Sequence, residues 1–312
     1  MRCVILGGAG FIGLSLVDAL ARAGHSVLCV DQPSGRDRFA RSGIVFPELT
    51  TEWGDAWDEQ LLEKALKNCD VCFHLVSSTI PQTSNVDPKF DVQSNLLGTL
   101  NLLDVCVRAR VKKLVYLSSG GTVYGVPQSA PIREEHPTNP TSSYGIVKLA
   151  VEKYLELYRG LHGLEYSVIR LSNPYGERQR TFGAQGAVAV FLGKALRGER
   201  IEVWGDGNVC RDYVHISDVI DCLQAVMVCD DPQARLLNVG SGLGCTVNQL
   251  LGVIGVAVQR ELDIVHVAGR SFDVPSNVLS IERATSVLGW RPKVDLETGV
   301  HRFAQWLLRH EA

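Results

Sequence analysis

No stretch of this chain comes near the roughly 18 consecutive apolar residues that a membrane-crossing helix requires. It opens straight into a short apolar strand with no charged leader ahead of it, so the expectation is a protein of the cytoplasm, neither exported nor membrane-bound. Excess positive charge is missing too. The 31 basic residues are outnumbered by 34 acidic ones, a net charge of −3, which offers no field for nucleic acid or an anionic membrane. The densest basic stretch, Arg108-Ala-Arg110-Val-Lys112-Lys113, reads as the end of a helix, where cations complement the carbonyl end of the dipole. The nine cysteines follow no disulfide-framework spacing and their number is odd. Cys69-Asp-Val-Cys72 has the CxxC form but leads into an apolar strand with no second pair, so it reads as buried thiols in a reducing compartment. No spacing of His, Cys and carboxylates suggests a metal site, and His74 and His215 read as packing residues. Repeats and low-complexity tracts are absent.

What is present is a regular alternation of strand and helix. Apolar strands are expected at Cys3–Leu6, Val27–Val30, Val71–Leu75, Leu114–Leu117 and Tyr166–Leu171. Between them, helical spacing runs over Ile12–Ala23, Glu59–Leu66, a long stretch opened by Pro88 and reaching Ala109, and Ser142–Tyr158. Ile44–Phe46 is a short apolar piece followed by a polar segment that ends in Gly54-Asp55. Such alternation implies right-handed crossovers and an α/β fold: a Rossmann-type, doubly wound parallel sheet with a smaller C-terminal α/β substrate domain. The boundary is expected near Asn173, giving a dinucleotide-binding domain over 1–173 and a substrate domain over 174–312. Leu236–Gly240 is expected to return to the first sheet.

Gly7-Gly-Ala-Gly10-Phe11-Ile12-Gly13 lies between the first strand and the first helix. Gly7 permits a tight turn, Gly10 lets a pyrophosphate reach backbone N–H groups, and Gly13 lets helix pack on strand; Phe11 and Ile12 complete the turn. Asp31 closes the second strand, where a carboxylate accepts hydrogen bonds from ribose hydroxyls and repels a 2′-phosphate. That favours NAD over NADP, although Arg36 and Arg38 lie downstream. Further along, Tyr144-Gly-Ile-Val-Lys148 sets a phenol and an ammonium one helical turn apart on one face. A neighbouring cation favours the phenolate, so Lys148 is expected to bring Tyr144, whose ordinary pKa is about 10, toward service as a general base.

The glycine spacing together with Tyr144 and Lys148 resembles the extended short-chain dehydrogenase/reductase family, over nearly the whole chain. The resemblance implies cofactor contacts from Asp55, the strand-end loop Leu75-Val76-Ser77, and Asn95 in Ser-Asn-Leu-Leu-Gly-Thr, with Lys148 also holding the nicotinamide ribose. The family's usual catalytic serine or threonine lies four residues before the tyrosine of Val-Tyr-Gly, where this chain has Gly120. Two hydroxyls are candidates to replace it. Thr122 points to the same side if the segment is extended; Ser119 is adjacent and faces away unless the glycines kink the chain. Thr122 is favoured as the donor to a sugar O4, with Ser118 or Ser119 nearer the nicotinamide.

In the second half, Asn173-Pro-Tyr-Gly, Trp204-Gly-Asp-Gly, Arg211-Asp-Tyr213 and Arg270-Ser-Phe-Asp273-Val-Pro resemble the family's nucleotide-sugar blocks. By that resemblance Asn173, Arg211 and Arg270 face the diphosphate, Trp204 the uracil and Asp273 the ribose, with Gln185 and Val188 lining the same cleft. An ion pair of Arg211 with Asp212 is the structural alternative. The order of blocks is most similar to the UDP-hexose 4-epimerases, which implies a UDP-sugar substrate and NAD held through a transient 4-keto sugar. Asn277 stands where plain-hexose members tend to carry a bulky tyrosine, leaving room for a 2-acetamido group. A 4-keto-sugar reductase and a non-catalytic nucleotide-binding regulator are the other readings; a 4,6-dehydratase would carry Asp-Glu at Gly121-Thr122. A homodimer is implied, paired through 90–109 and 142–158 with Leu97, Leu100, Leu149 and Leu157 as apolar stripes.

Overall fold

The computed structural model of the protein describes residues 1–183, 186–269 and 274–310. Gln185, Arg270 and Asp273, three of the expected substrate residues, lie outside the described residues. Two compact units emerge. The first comprises Met1–Gly125, Pro137–Arg170 and Cys222–Leu237; the second comprises Val126–His136, Leu171–Asp221 and Asn238–Ala312.

Strands β1 (Arg2–Leu6), β2 (Ser26–Asp31), β3 (Leu49–Trp53), β4 (Val71–His74), β5 (Lys113–Ser119) and β6 (Glu165–Leu171) form a sheet with Leu236–Val239. The order is Leu236–Val239, β6, β5, β4, β1, β2, β3, and the registers of β1 with β2 and β4, of β2 with β3, and of β4 with β5 are parallel. Buried in the middle of the sheet, β1 and β4 read as continuous apolar runs, because helices cover both faces of a parallel sheet. Val4, Leu6, Leu66, Leu102, Leu114 and Val151 of one such helix-on-sheet layer are each 0% exposed. The chain runs outward from β1 to β3, then returns to β4 and runs the other way. The switch point between β1 and β4 is where doubly wound sheets bind ligands.

One strand was not expected, and one expected helix is corrected. The third strand is Leu49–Trp53, inside the segment that looks polar, and Ile44–Phe46 lies before it with no strand structure. Leu-Thr-Thr-Glu-Trp is rich in β-formers, but at the sheet edge it carries no apolar alternation. The helix over 88–109 is not regular: Pro88–Asp91 is α-helical, Val92–Leu97 makes a π-helical turn, and Gly98–Ala109 resumes the α-helix. It ends, as the basic stretch suggests, at Arg110 in the left-handed region, φ 55°. Arg108 pairs with Glu59 and Glu63, while Lys112 pairs with Asp70 at 2.6 Å.

In the second unit, Asn173–Tyr175 and Ser276–Asn277 pair parallel to Cys210–His215, and Gly244–Thr246 pairs antiparallel to it. Ile264–Val267 pairs with Ile201–Trp204. The helices Ala187–Arg197, Val247–Val258 and Leu296–His310 pack a separate core around Leu192, Leu250, Val300 and Phe303. No described helix is long and apolar enough to cross a membrane.

Candidate active site

The loops leaving β1 and β4 meet in the first unit. Gly7 donates its N–H to the Val30 carbonyl at 2.8 Å, which turns the chain sharply after β1. A Cβ on Gly7 would lie 3.2 Å from the Val76 nitrogen, so the backbone of Leu75 and Val76 lies against the turn. Gly13 is the steric requirement of this motif: a Cβ there would fall 2.2 Å from the Gly7 carbonyl oxygen. The helix Phe11–Arg22 therefore starts on the turn, capped by Gly10 with no side-chain oxygen and with no acid in its first turn. Its N–H groups and dipole suit a phosphate. Asp31 ends β2 half-buried, accepting from the Ala9 N–H at 2.8 Å and the Gln32 N–H at 2.7 Å. Burial pushes its carboxyl up and these hydrogen bonds pull it back. Asp55 is exposed and accepts from the Trp57 N–H. Arg38 reaches the Ala9 carbonyl at 3.1 Å, beside the turn.

Tyr144 and Lys148 lie on the first two turns of the helix Ser143–His162. Ser142 is the N-cap, accepting from the Gly145 N–H, and Ser84 Oγ and Asn85 Oδ1 accept from the N–H groups of Tyr144 and Ser143 at 3.0 and 2.9 Å. Gly145 matters for what it lets near. A Cβ there would sit 2.9 Å from the Thr122 carbonyl oxygen, so the helix presses its first turn onto residues 120–124.

The electrostatics of the pair differ from the sequence expectation. Lys148 Nζ donates to the Leu117 carbonyl at 2.9 Å and lies 4.8 Å from the Tyr116 ring centroid and 5.5 Å from that of Tyr144. Burial pushes the Tyr144 phenol up to about 12, against the pull of a hydrogen bond with Ser77, and pushes the Lys148 ammonium down to about 8. The resting phenol thus carries its proton at neutral pH.

The backbone around the candidate hydroxyls also differs from the extended expectation. Strand β5 ends at Ser119, and 120–124 form a turn in which Val123 donates to the Ser119 carbonyl at 3.1 Å. The extended geometry on which Thr122 was favoured is not present, yet Thr122 Oγ1 is buried and finds no hydrogen-bond partner among the described residues. A buried hydroxyl left unsatisfied costs about 1–3 kcal/mol, and its position beside the start of the Tyr144 helix suits a ligand. Ser118 is committed elsewhere. Its Oγ donates to Glu152 at 2.5 Å, in a buried pair of Glu152 with Arg170, so its hydroxyl does not face a ligand. Asn95 holds the loop after β4: its Oδ1 accepts from the Ser78 N–H at 2.8 Å. His74 is 2% exposed and held neutral, its pKa pushed down to about 3 by burial.

Of the expected substrate residues in the second unit, Asn173 is half-buried, its side-chain amide donating to the Asp212 carbonyl at 3.0 Å. Trp204 is 46% exposed, as suits a stacking surface. Val188 is 1% exposed and sits in the core of its unit, so its side chain presents no surface. Arg211 donates to the carbonyls of Cys210 and Val274. The Arg211–Asp212 ion pair does not form. Asp212 is fully buried and accepts instead from the N–H groups of Ser241, Gly242 and Leu279 and the Ser241 hydroxyl. Asn277 is buried in register with Arg211.

A turn that fits a dinucleotide and a Tyr-Lys helix beside it identify a broad class of proteins, and comparison narrows it. The profile of the NAD dependent epimerase/dehydratase family matches residues 3–240. The chain belongs to that family. As an epimerase/dehydratase-family member it is 36% identical over 310 residues to the UDP-glucose 4-epimerase of Mycolicibacterium smegmatis, with 98% of each chain covered. The UDP-glucose 4-epimerase of Thermotoga maritima, solved with UDP-glucose, superposes with a TM-score of 0.93 at 33% identity over the full length of both chains. That of Thermus thermophilus, solved with NAD, gives 0.90 at 31% identity over 99% of each. The doubly wound α/β fold and NAD as cofactor follow from the family.

Four residues joined by hydrogen bonds at the start of the Tyr144 helix were not singled out from sequence: Ser84, Asn85, Asp91 and Ser143. Ser142-Ser143 ahead of Tyr144 is a helix-start signal that was available. Ser84, Asn85 and Asp91 lie 60, 58 and 52 residues from their partners on the Tyr144 helix, and nothing local marks them.

Proposed function

We propose that this protein interconverts UDP-hexoses at C4, with NAD held through the cycle. The observation that carries the reading is the unsatisfied buried hydroxyl of Thr122, a residue whose backbone carbonyl lies against the first turn of the helix bearing Tyr144 and Lys148, in a chain related along its length to UDP-glucose 4-epimerases. NAD, when bound, supplies a reversible acceptor for the C4 hydride. The chain's own residues handle the proton. Tyr144 exchanges it with O4 of the sugar, Thr122 donates a hydrogen bond to the same oxygen, and Lys148 sets the charge beside the phenol. Because burial keeps the phenol protonated at rest, Tyr144 is ready to return a proton to O4, and it loses its own only with positive charge close by.

Gly7, Gly10, Phe11, Ile12, Gly13, Asp31, Asp55, Leu75, Val76, Ser77 and Asn95 hold the dinucleotide in this reading. Asn173, Trp204 and Arg211 take the nucleotide part of the substrate, whose binding anchors a sugar that must be free to turn. Asn277 is smaller than tyrosine, so UDP-N-acetylhexosamines are accepted beside UDP-glucose and UDP-galactose. The test is to incubate the purified protein with each UDP-sugar pair, separate the products, follow absorbance at 340 nm and identify the dinucleotide released on denaturation. Epimers of both pairs without net absorbance change are expected. Consumption of reduced cofactor would instead mark a reductase, bound dinucleotide without turnover a regulator, and activity on the plain hexoses alone would refute the pocket-size argument.

Thr122→Ala is expected to lower kcat by on the order of 100-fold, with NAD still co-purifying and Thr122→Ser largely active. Near-normal turnover in the alanine variant would remove Thr122 from the mechanism. We also infer a homodimer. Phe90, Leu97, Ile146 and Leu157 leave 48–56% of their surface exposed on the helices 88–109 and Ser143–His162, whereas Leu100 packs inward against the core. An exposed apolar set of this kind marks an interface. Light scattering at micromolar concentration should give twice the chain mass; a monomeric mass contradicts the inference.

A further inference from the structure

Asp91 is 0% exposed and stands on the helix turn just before the π-helical segment. Its Oδ1 accepts from the Thr79 hydroxyl at 2.6 Å and from the Asn95 amide at 2.9 Å, and its Oδ2 accepts from the Ser143 hydroxyl at 2.6 Å. Three segments of the first unit are thereby tied to one carboxylate. Thr79 belongs to the loop after β4, where the Thr79 carbonyl also accepts from Ser77, the residue that meets the Tyr144 phenol. Asn95 fastens that loop again through the Ser78 N–H and, with Nδ2, reaches Thr79 at 3.1 Å. Ser143 immediately precedes Tyr144. No lysine, arginine or histidine forms a salt bridge with Asp91 among the described residues, and a buried carboxylate held mainly by hydrogen bonds is costly to keep.

We propose that Asp91 is a positioning residue of the active site, a buried anionic latch that sets the phenol of Tyr144 against the loop after β4 and biases the Tyr144–Lys148 pair electrostatically. The assignment rests on the catalytic reading above and deepens it. Asp91 and Asn95 are four residues apart and so share the helix face turned to the loop. The negative charge of Asp91 raises both Tyr144 and Lys148. The other ionisable groups facing the pair are Glu152 on the same helix, Tyr116 on β5 and His74 on β4. Glu152 is tied to Arg170, Tyr116 is pushed up by burial, and His74 is neutral, so Asp91 is the anion whose charge bears on Lys148 without an ion-pair partner of its own among the described residues.

The experiment compares wild type with Asp91→Asn in the NAD-loaded protein, using UDP-glucose. Asparagine keeps the shape and loses the charge. The expected result is a kcat lower by on the order of 100-fold, the cost of misplacing a catalytic group, with KM and bound NAD little changed. Both limbs of the pH profile should move to lower pH, because removing the anion favours the phenolate and disfavours the ammonium. A wild-type kcat overturns the proposal, and so does a lower kcat whose pH limbs stay in place, since that is a scaffold role only. Should D91N not fold, Ser143→Ala keeps the charge and cuts one tie: a kcat lower by about tenfold with unmoved limbs supports the latch, and an unchanged kcat overturns it. A wild type silent on UDP-glucose overturns the functional reading and this assignment together, whereas an active wild type with an unaffected variant overturns the assignment alone.

Discussion

Tyr144→Phe lowers kcat for UDP-hexose interconversion by about 10²–10⁴-fold, the range that a positioned general acid–base contributes, while substrate binding and bound NAD persist. Phenylalanine fills the same volume and keeps the ring beside Lys148, so the loss reports the hydroxyl and not the packing. Lys148 cannot substitute, because its ammonium is turned to the Leu117 carbonyl. Steady-state rates by product chromatography, with melting temperature as the folding control, decide it. A phenylalanine variant within a few-fold of wild type would mean that another group moves the proton.

The second large effect is on stability. Glu152 and Arg170 have side chains only 6% and 4% exposed, joined at 2.6 Å between Arg170 Nη2 and Glu152 Oε2 and at 3.1–3.2 Å from Nε. Ser118 adds a third donor to the carboxylate, and the guanidinium lies 4.8 Å from the Tyr124 ring centroid. Glu152→Gln leaves that guanidinium buried without its anion, at a cost of about 3–5 kcal/mol. In a chain of this length that lowers the melting temperature by on the order of 10 °C. Replacing both partners with leucine and methionine should restore much of the loss, because the desolvation cost disappears with the charges. A single variant that melts within a degree of wild type would show that the pair contributes nothing. Glu152 also lies one turn beyond Lys148 and raises its pKa, so the glutamine variant should lose activity as well.

The frame of the fold was readable because its signals are local. Strand, Gly7-to-Gly13 turn and helix follow one another within about twenty residues, and each needs only its neighbours to be recognised. The return of Leu236–Val239 to the sheet was readable as one more apolar run. Edge strand β3 escaped because it is half-exposed and polar, and the π-helical turn because one inserted residue leaves no mark on a period of 3.6. At the site, Tyr144 and Lys148 were singled out by spacing, while burial moves the phenol up and the ammonium down, against the direction that charge pairing alone suggests. A charge pair in water attracts, while the same pair with its solvent removed pays desolvation first. An Arg211–Asp212 ion pair was the structural alternative, but adjacent residues of a strand face opposite sides, and Asp212 turns to backbone N–H groups some 30 and 67 residues away. Ser118 was drawn off by Glu152, 34 residues on. Partners that the fold brings from such distances lie beyond any local pattern.

The central claim is that Tyr144 moves only the hydroxyl proton, while the hydrogen on C4 leaves and returns as hydride without meeting solvent. UDP-glucose carrying deuterium at C4 tests this directly, with the label followed by mass spectrometry in the UDP-galactose formed in ordinary water. The deuterium is expected to stay on C4 of the product; its replacement by solvent hydrogen would contradict return of the same hydride.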